Sequence, residues 1–153
     1  MTISFRAYLF FLILVNITFT AFCQNNELRS YTLEDGLPQS QVYAIVQDDI
    51  GYLWLGTQGG GLARFDGENF KIFDESDGLE SNYVNDLFFA KDSLFIATRR
   101  GLSIRNHARL DNYSMPEIIT IFRYNGHNYF GTKTGIYRFS KNNEVVKLKI
   151  HPL

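Results

Sequence analysis

A chain of 153 residues with 15 Lys and Arg against 16 Asp and Glu, a formal charge of −1, has no electrostatic reason to seek nucleic acid or an acidic membrane surface. Its 45% hydrophobic and 16% aromatic content excludes a disordered tail, and twelve Gly, three Pro and aromatics that are nearly all Phe and Tyr lean toward β structure. The single cysteine, Cys23, offers no disulfide and no thiolate metal site, so packing has to hold the fold.

Residues 1–23 read as a signal peptide. Arg6 precedes an apolar run over 7–15, and Ala21-Phe22-Cys23 supplies a small-x-small cleavage signal before Gln24. The uninterrupted run falls short of the roughly 20 residues that cross a bilayer. The bulky Phe22 argues against lipid attachment at Cys23. A periplasmic location follows as the expectation.

Residues 28–32 alternate apolar and polar and precede Glu34-Asp35-Gly36-Leu37, as residues 70–74 precede Ser76-Asp77-Gly78-Leu79. This spacing predicts that 28–32 form a closing strand, lent to a blade whose other strands lie elsewhere, which would hide an unpaired sheet edge. Four strands are then predicted over 41–47, 52–57, 62–65 and 69–73, with Asp66-Gly67 as a tight hairpin. The next four fall over 83–89, 94–98, 102–105 and 109–113. The last four fall over 118–124, 128–132, 136–139 and 145–150, with Asn125-Gly126 as the strongest hairpin signal in the chain. The first strand of each set is apolar on both faces, as in Val42-Tyr43-Ala44-Ile45-Val46, which suits a strand covered from both sides.

These sets are copies of one unit. Trp54-Leu55-Gly56-Thr57 with Gly61-Leu62 returns as Phe95-Ile96-Ala97-Thr98 with Gly101-Leu102, and again as Tyr129-Phe130-Gly131-Thr132 with Gly135-Ile136. The repeated Thr recurs after 41 and then 34 residues, a period that belongs to stacked blades. No segment keeps a 3.6-residue apolar period long enough for a helix. The expected fold is all-β, a partial β-propeller of three four-stranded antiparallel blades over about 34–74, 75–113 and 114–150.

The stretch from Asp49 to Phe65, DIGYLWLGTQGGGLARF, preceded by Asp35-Gly36-Leu37-Pro38-Gln39-Ser40-Gln41-Val42, closely resembles the two-component regulator propeller repeat. That repeat occurs in periplasmic sensor regions of bacterial hybrid histidine kinases, many of them from Bacteroidetes. The resemblance implies a propeller that senses an extracytoplasmic small molecule or oligosaccharide and signals through a membrane helix to a kinase or transcription-factor module. It covers about 28–150 and fades from the first blade to the third. Since propellers close with 4 to 8 blades, the chain is expected to be an N-terminal fragment, closed by remaining blades or a second chain and tied to the membrane only through a missing C-terminal part.

Within an antiparallel blade, the loop into the first strand and the turn between the second and third emerge at one end. Gln58, Arg99 and Lys133 fall at equivalent positions there, joined by Arg100, Gln41 and Asn82. Such donors suit hydroxyls or a carboxylate and are the ligand-binding candidates. Trp54, Phe95 and Tyr129 are expected to pack between blades. Gly59-Gly60-Gly61 lacks the lysine and following helix of a phosphate loop.

No catalytic residue, metal site or cofactor is expected. His107, His127 and His151 are scattered, and Asp48-Asp49 sits in a turn at the opposite end. A fragment of a carbohydrate-active propeller enzyme and a propeller that binds other proteins remain the other readings open to the sequence.

Overall fold

The computed structural model describes residues 28–140 and 144–149. The expected signal peptide and the end of the last predicted strand at residue 150 lie outside the described residues. Among the described residues, twelve strands form three four-stranded antiparallel sheets, each strand paired with the next in sequence. The first sheet holds β1 (Val42–Gln47), β2 (Leu53–Thr57), β3 (Leu62–Phe65) and β4 (Phe70–Phe73). The second holds β5 (Val84–Ala90), β6 (Ser93–Thr98), β7 (Gly101–Asn106) and β8 (Arg109–Ser114). The third holds β9 (Ile118–Tyr124), β10 (His127–Thr132), β11 (Gly135–Phe139) and β12 (Val145–Lys147).

Local chemistry sets the turns. Asn125 and Gly126 both take positive φ, 46° and 78°, the pairing that matches the twist of a two-residue hairpin. Asp66 Oδ1 accepts from the backbone N–H groups of Glu68 and Asn69 at 3.0 and 2.8 Å. Among the described residues, two single-turn 3-10 helices, Leu33–Asp35 and Glu75–Asp77, interrupt the strands. Each is capped by a side chain, Thr32 or Asp74, in a capping box and ends on a glycine at φ 96°, Gly36 or Gly78. Leu37 and Leu79, which follow, are buried. The repeated Asp-Gly-Leu is therefore a turn that plugs a leucine into the core ahead of each of the first two sheets.

The repeated threonine has one role in all three sheets. Thr57, Thr98 and Thr132 donate their hydroxyls to the carbonyls of Gly61, Gly101 and Gly135 at 2.8, 2.9 and 2.8 Å, closing the turn from second to third strand. Thr57 and Thr98 are fully buried. Thr98→Val keeps the shape but leaves a buried carbonyl short of a donor, and is expected to cost about 1–3 kcal/mol in urea unfolding.

The core lies between sheets. Trp54, Leu62, Val84, Leu87, Leu94 and Ile96 join the first sheet to the second. Ala97, Leu102, Ile104, Ile118, Ile121 and Phe130 join the second to the third. Alternate residues of β6 thus face opposite neighbours, which is how one thin sheet serves two interfaces. Gly56 permits the first interface, since a Cβ there would lie 2.5 Å from Val84 Cγ1.

Residues 28–32 form no strand among the described residues, and the blade expected to receive them lies outside the three described sheets; the Thr32 N–H donates to Asp35 Oδ2 at 2.8 Å as part of its cap. Tyr31 instead sets its ring edge-on to Phe65 and Phe70, at 4.8 and 5.7 Å between centroids. Nor are all first strands covered on both faces. Tyr43 and Ile45 of β1, and Ile119, Phe122 and Tyr124 of β9, are exposed, because the described residues place a packed neighbour on only one face of each end sheet.

Candidate functional site

At the end where the chain enters each first strand, the turn between β2 and β3 is knitted to the loop before β5. Gln58 N–H donates to the Gln41 carbonyl at 3.1 Å, while Gly59 and Gly61 N–H groups donate to the Asn82 carbonyl at 3.0 and 2.9 Å. The Gln58 side chain donates to Asn85 Oδ1 at 3.2 Å, and Asn85 Nδ2 donates to the Ile118 carbonyl at 2.8 Å. This amide relay ties all three sheets together.

Asn82 and Arg100 meet on one carboxylate. Glu75 accepts from Asn82 N–H at 3.0 Å and pairs with Arg100 at 2.6 Å, while Glu75 N–H donates to Asn82 Oδ1 at 2.8 Å. Arg100 Nε also donates to the Glu80 carbonyl at 2.8 Å. Lys133, in the third sheet, pairs with Glu117 at 2.7 Å. Arg99 lies over the Tyr83 ring, 4.0 Å from its centroid, and is exposed. Of the six predicted residues, five fall along the junction of the first two sheets. Gln58, Asn82, Arg100 and Lys133 spend side-chain bonds on the protein itself, which leaves Arg99 on its tyrosine and the exposed Gln41 as the outward-facing pair.

Sequence reasoning missed the groups that hold this end together. Asp86 Oδ2 accepts from Thr120 Oγ1 at 2.9 Å and Ile121 N–H at 2.7 Å, bonding β5 to β9 beside the Asn85 relay. The signal was present: Asn85-Asp86 interrupts an inner strand otherwise built for burial.

Glu75 and Glu117 at this end, and Asp66 in the hairpin from β3 to β4, titrate low. Hydrogen bonding from Arg100, then Asn82, holds Glu75 below its ordinary 4.5. Lys133 does the same for Glu117, and the backbone N–H groups of Asn69 and Glu68 hold Asp66 below 3.8. A depressed folded value means stability fully present above the unfolded value and lost as pH falls through the folded one. Tm is therefore expected to hold flat above pH 4.5 and fall on acidification below it, less steeply in Glu75→Gln.

The meandering four-stranded sheets, cored at their interfaces and bonded head to head by a repeated turn, are consecutive blades of a β-propeller. Residues 36–59, which run from the turn before β1 to the turn after β2, match the family described as Two component regulator propeller. Over 49 residues the chain is 53% identical to histidine kinase P4 of Formosa agariphila, a match covering 32% of this chain and 4% of that protein. The chain also resembles the extracellular domain of a protein assigned as a hybrid two component system of B. thetaiotaomicron, with TM-score 0.69, 23% identity, and coverage of 78% of this chain and 19% of that one. An extracellular domain assigned to a one component system of the same organism gives TM-score 0.72 at 21% identity, covering 84% of this chain and 19% of that one. The chain thus spans a small fraction of the relatives it matches, and at these identities the solved structures speak for the fold alone. Among the described residues no helix is long and apolar enough to cross a membrane.

Proposed function

We propose that this chain is an extracytoplasmic, non-catalytic, ligand-sensing propeller segment of a two-component signal transduction sensor. The observation that carries this reading is the repeat over residues 36–59, with the 53% identity to a histidine kinase across 49 residues. The ligand is a small molecule or oligosaccharide, taken at the loop end by Arg99 on its Tyr83 platform and by Gln41. Gln58 N–H donates to the Gln41 carbonyl, and Asn82 and Arg100, joined through Glu75, hold the loops on either side. Tyr43, Ile45 and Ile72 on the first sheet, and Phe122 and Tyr124 on the third, are exposed apolar groups suited to cover by further blades or a second chain.

Calorimetric titration with a panel of neutral and acidic oligosaccharides tests the site. A sugar that binds the wild-type chain is expected to bind Arg99→Ala about tenfold more weakly, the worth of one charge-assisted bond. Affinity unchanged in both Arg99→Ala and Gln41→Ala would remove the loop end as the sensing surface.

A further inference from the structure

At the opposite end, the turns that close β1 onto β2, β5 onto β6 and β7 onto β8 open a cavity of about 150 Å³ between the first two sheets. Two guanidinium groups converge in it on one indole. Arg64, from β3, lies over Tyr52 at 4.3 Å and Trp54 at 5.9 Å. Arg105, from β7, lies 5.5 Å from Trp54 and 4.5 Å from Phe73.

Among the described residues neither arginine has a carboxylate within ion-pair distance. Arg64 Nε is buried with no acceptor. Asp48, which lines the cleft, is already used: it takes the N–H groups of Ile50 and Tyr52 at 3.1 and 2.9 Å and the Trp54 indole N–H at 2.8 Å. Burial, followed by the Arg64 charge, holds Arg105 below its ordinary range. Two like charges, partly desolvated beside one another, with Asp77 acting on Arg105 only from beyond ion-pair distance, are costly unless something anionic joins them.

We infer that this cleft binds the acidic group of a hydroxylated ligand, a carboxylate or sulfate ester held between Arg64 and Arg105. The planar forks of two arginines match the paired oxygens of such a group. Asp49 and Asp92, exposed at the rim, repel a bare anion but accept hydrogen bonds from hydroxyls, which selects an acidic sugar over a simple ion. The site stands apart from the loop end and does not depend on the sensing reading.

Trp54 is the only tryptophan in the chain, so its fluorescence reports on the cleft directly. The full chain is titrated at fixed ionic strength with glucuronate, glucose 6-sulfate and glucose. The expected result is a saturable change with at least one acid, none with glucose, and a midpoint about tenfold higher in Arg105→Gln at unchanged circular dichroism. Arg64→Gln, which alters the other sheet, serves as the second variant if Arg105→Gln fails to fold. No saturable change with either acid, an equal response to glucose, or midpoints unmoved in a folded variant would overturn the proposal.

Discussion

Trp54→Ala is expected to lower the free energy of unfolding by about 3–5 kcal/mol, read from urea denaturation followed by circular dichroism. Trp54 is 5% exposed and packs among Val84, Leu87 and Leu94 of the next sheet. Its ring also lies 5.7 Å from Phe73 and under two guanidinium groups. Removing it empties the outer half of the first interface, where the cavity already lies, and strands the Asp48 oxygen that accepted the indole N–H. Trp54→Phe separates the two effects, since it keeps most of the packing and loses the hydrogen bond, and should cost about 1–2 kcal/mol. A loss below about 1 kcal/mol for the alanine variant would mean that the two sheets are not held by this core.

What the chain announces in advance is what neighbours in sequence decide. Asn125-Gly126 and Asp66-Gly67 specify their hairpins within four residues, and the Thr-to-Gly bond recurs because both partners sit inside one turn. The copies survive the change from Trp54 to Phe95 and from Gly56 to Ala97, because strand register follows the hydrophobic alternation and the turns rather than the identity of one residue. Contacts between sheets were hidden. An alternating stretch such as 28–32 has the pattern of a strand, but pairing also needs an open edge, and edges are a property of the whole assembly. The candidate site shows the same division. Equivalent positions for Gln58, Arg99 and Lys133 were legible, whereas the hydrogen bonds that occupy Gln58 and Lys133, on Asn85 and Glu117, and the Tyr83 ring under Arg99 depend on which loops lie beside them. The Arg64 and Arg105 pair was illegible, because the two residues are 41 positions apart on different sheets and meet only through packing.

Gly56→Val is expected to destabilise by about 3 kcal/mol, the upper end of the usual cost of overpacking. A Cβ at Gly56 would lie 2.5 Å from Val84 Cγ1 and 3.2 Å from Val84 Cβ. Val84 is fully buried and β-branched, so it has no spare rotamer into which to retreat. Either the two sheets move apart, loosening Leu62, Leu87 and Ile96, or the valine strains. Ala97 stands at the corresponding place in β6, buried in the next interface with Ile118. One methyl group can therefore be housed where the facing side chains differ, and Gly56→Ala should cost less than Gly56→Val. The double variant Gly56→Val with Val84→Ala distinguishes a clash across the interface from a loss of strand flexibility. If the clash dominates, truncating Val84 returns at least about 1 kcal/mol relative to the sum of the single changes, a coupling that only touching residues show. Strict additivity would instead place the glycine's role within β2 and detach it from the packing of one blade on the next.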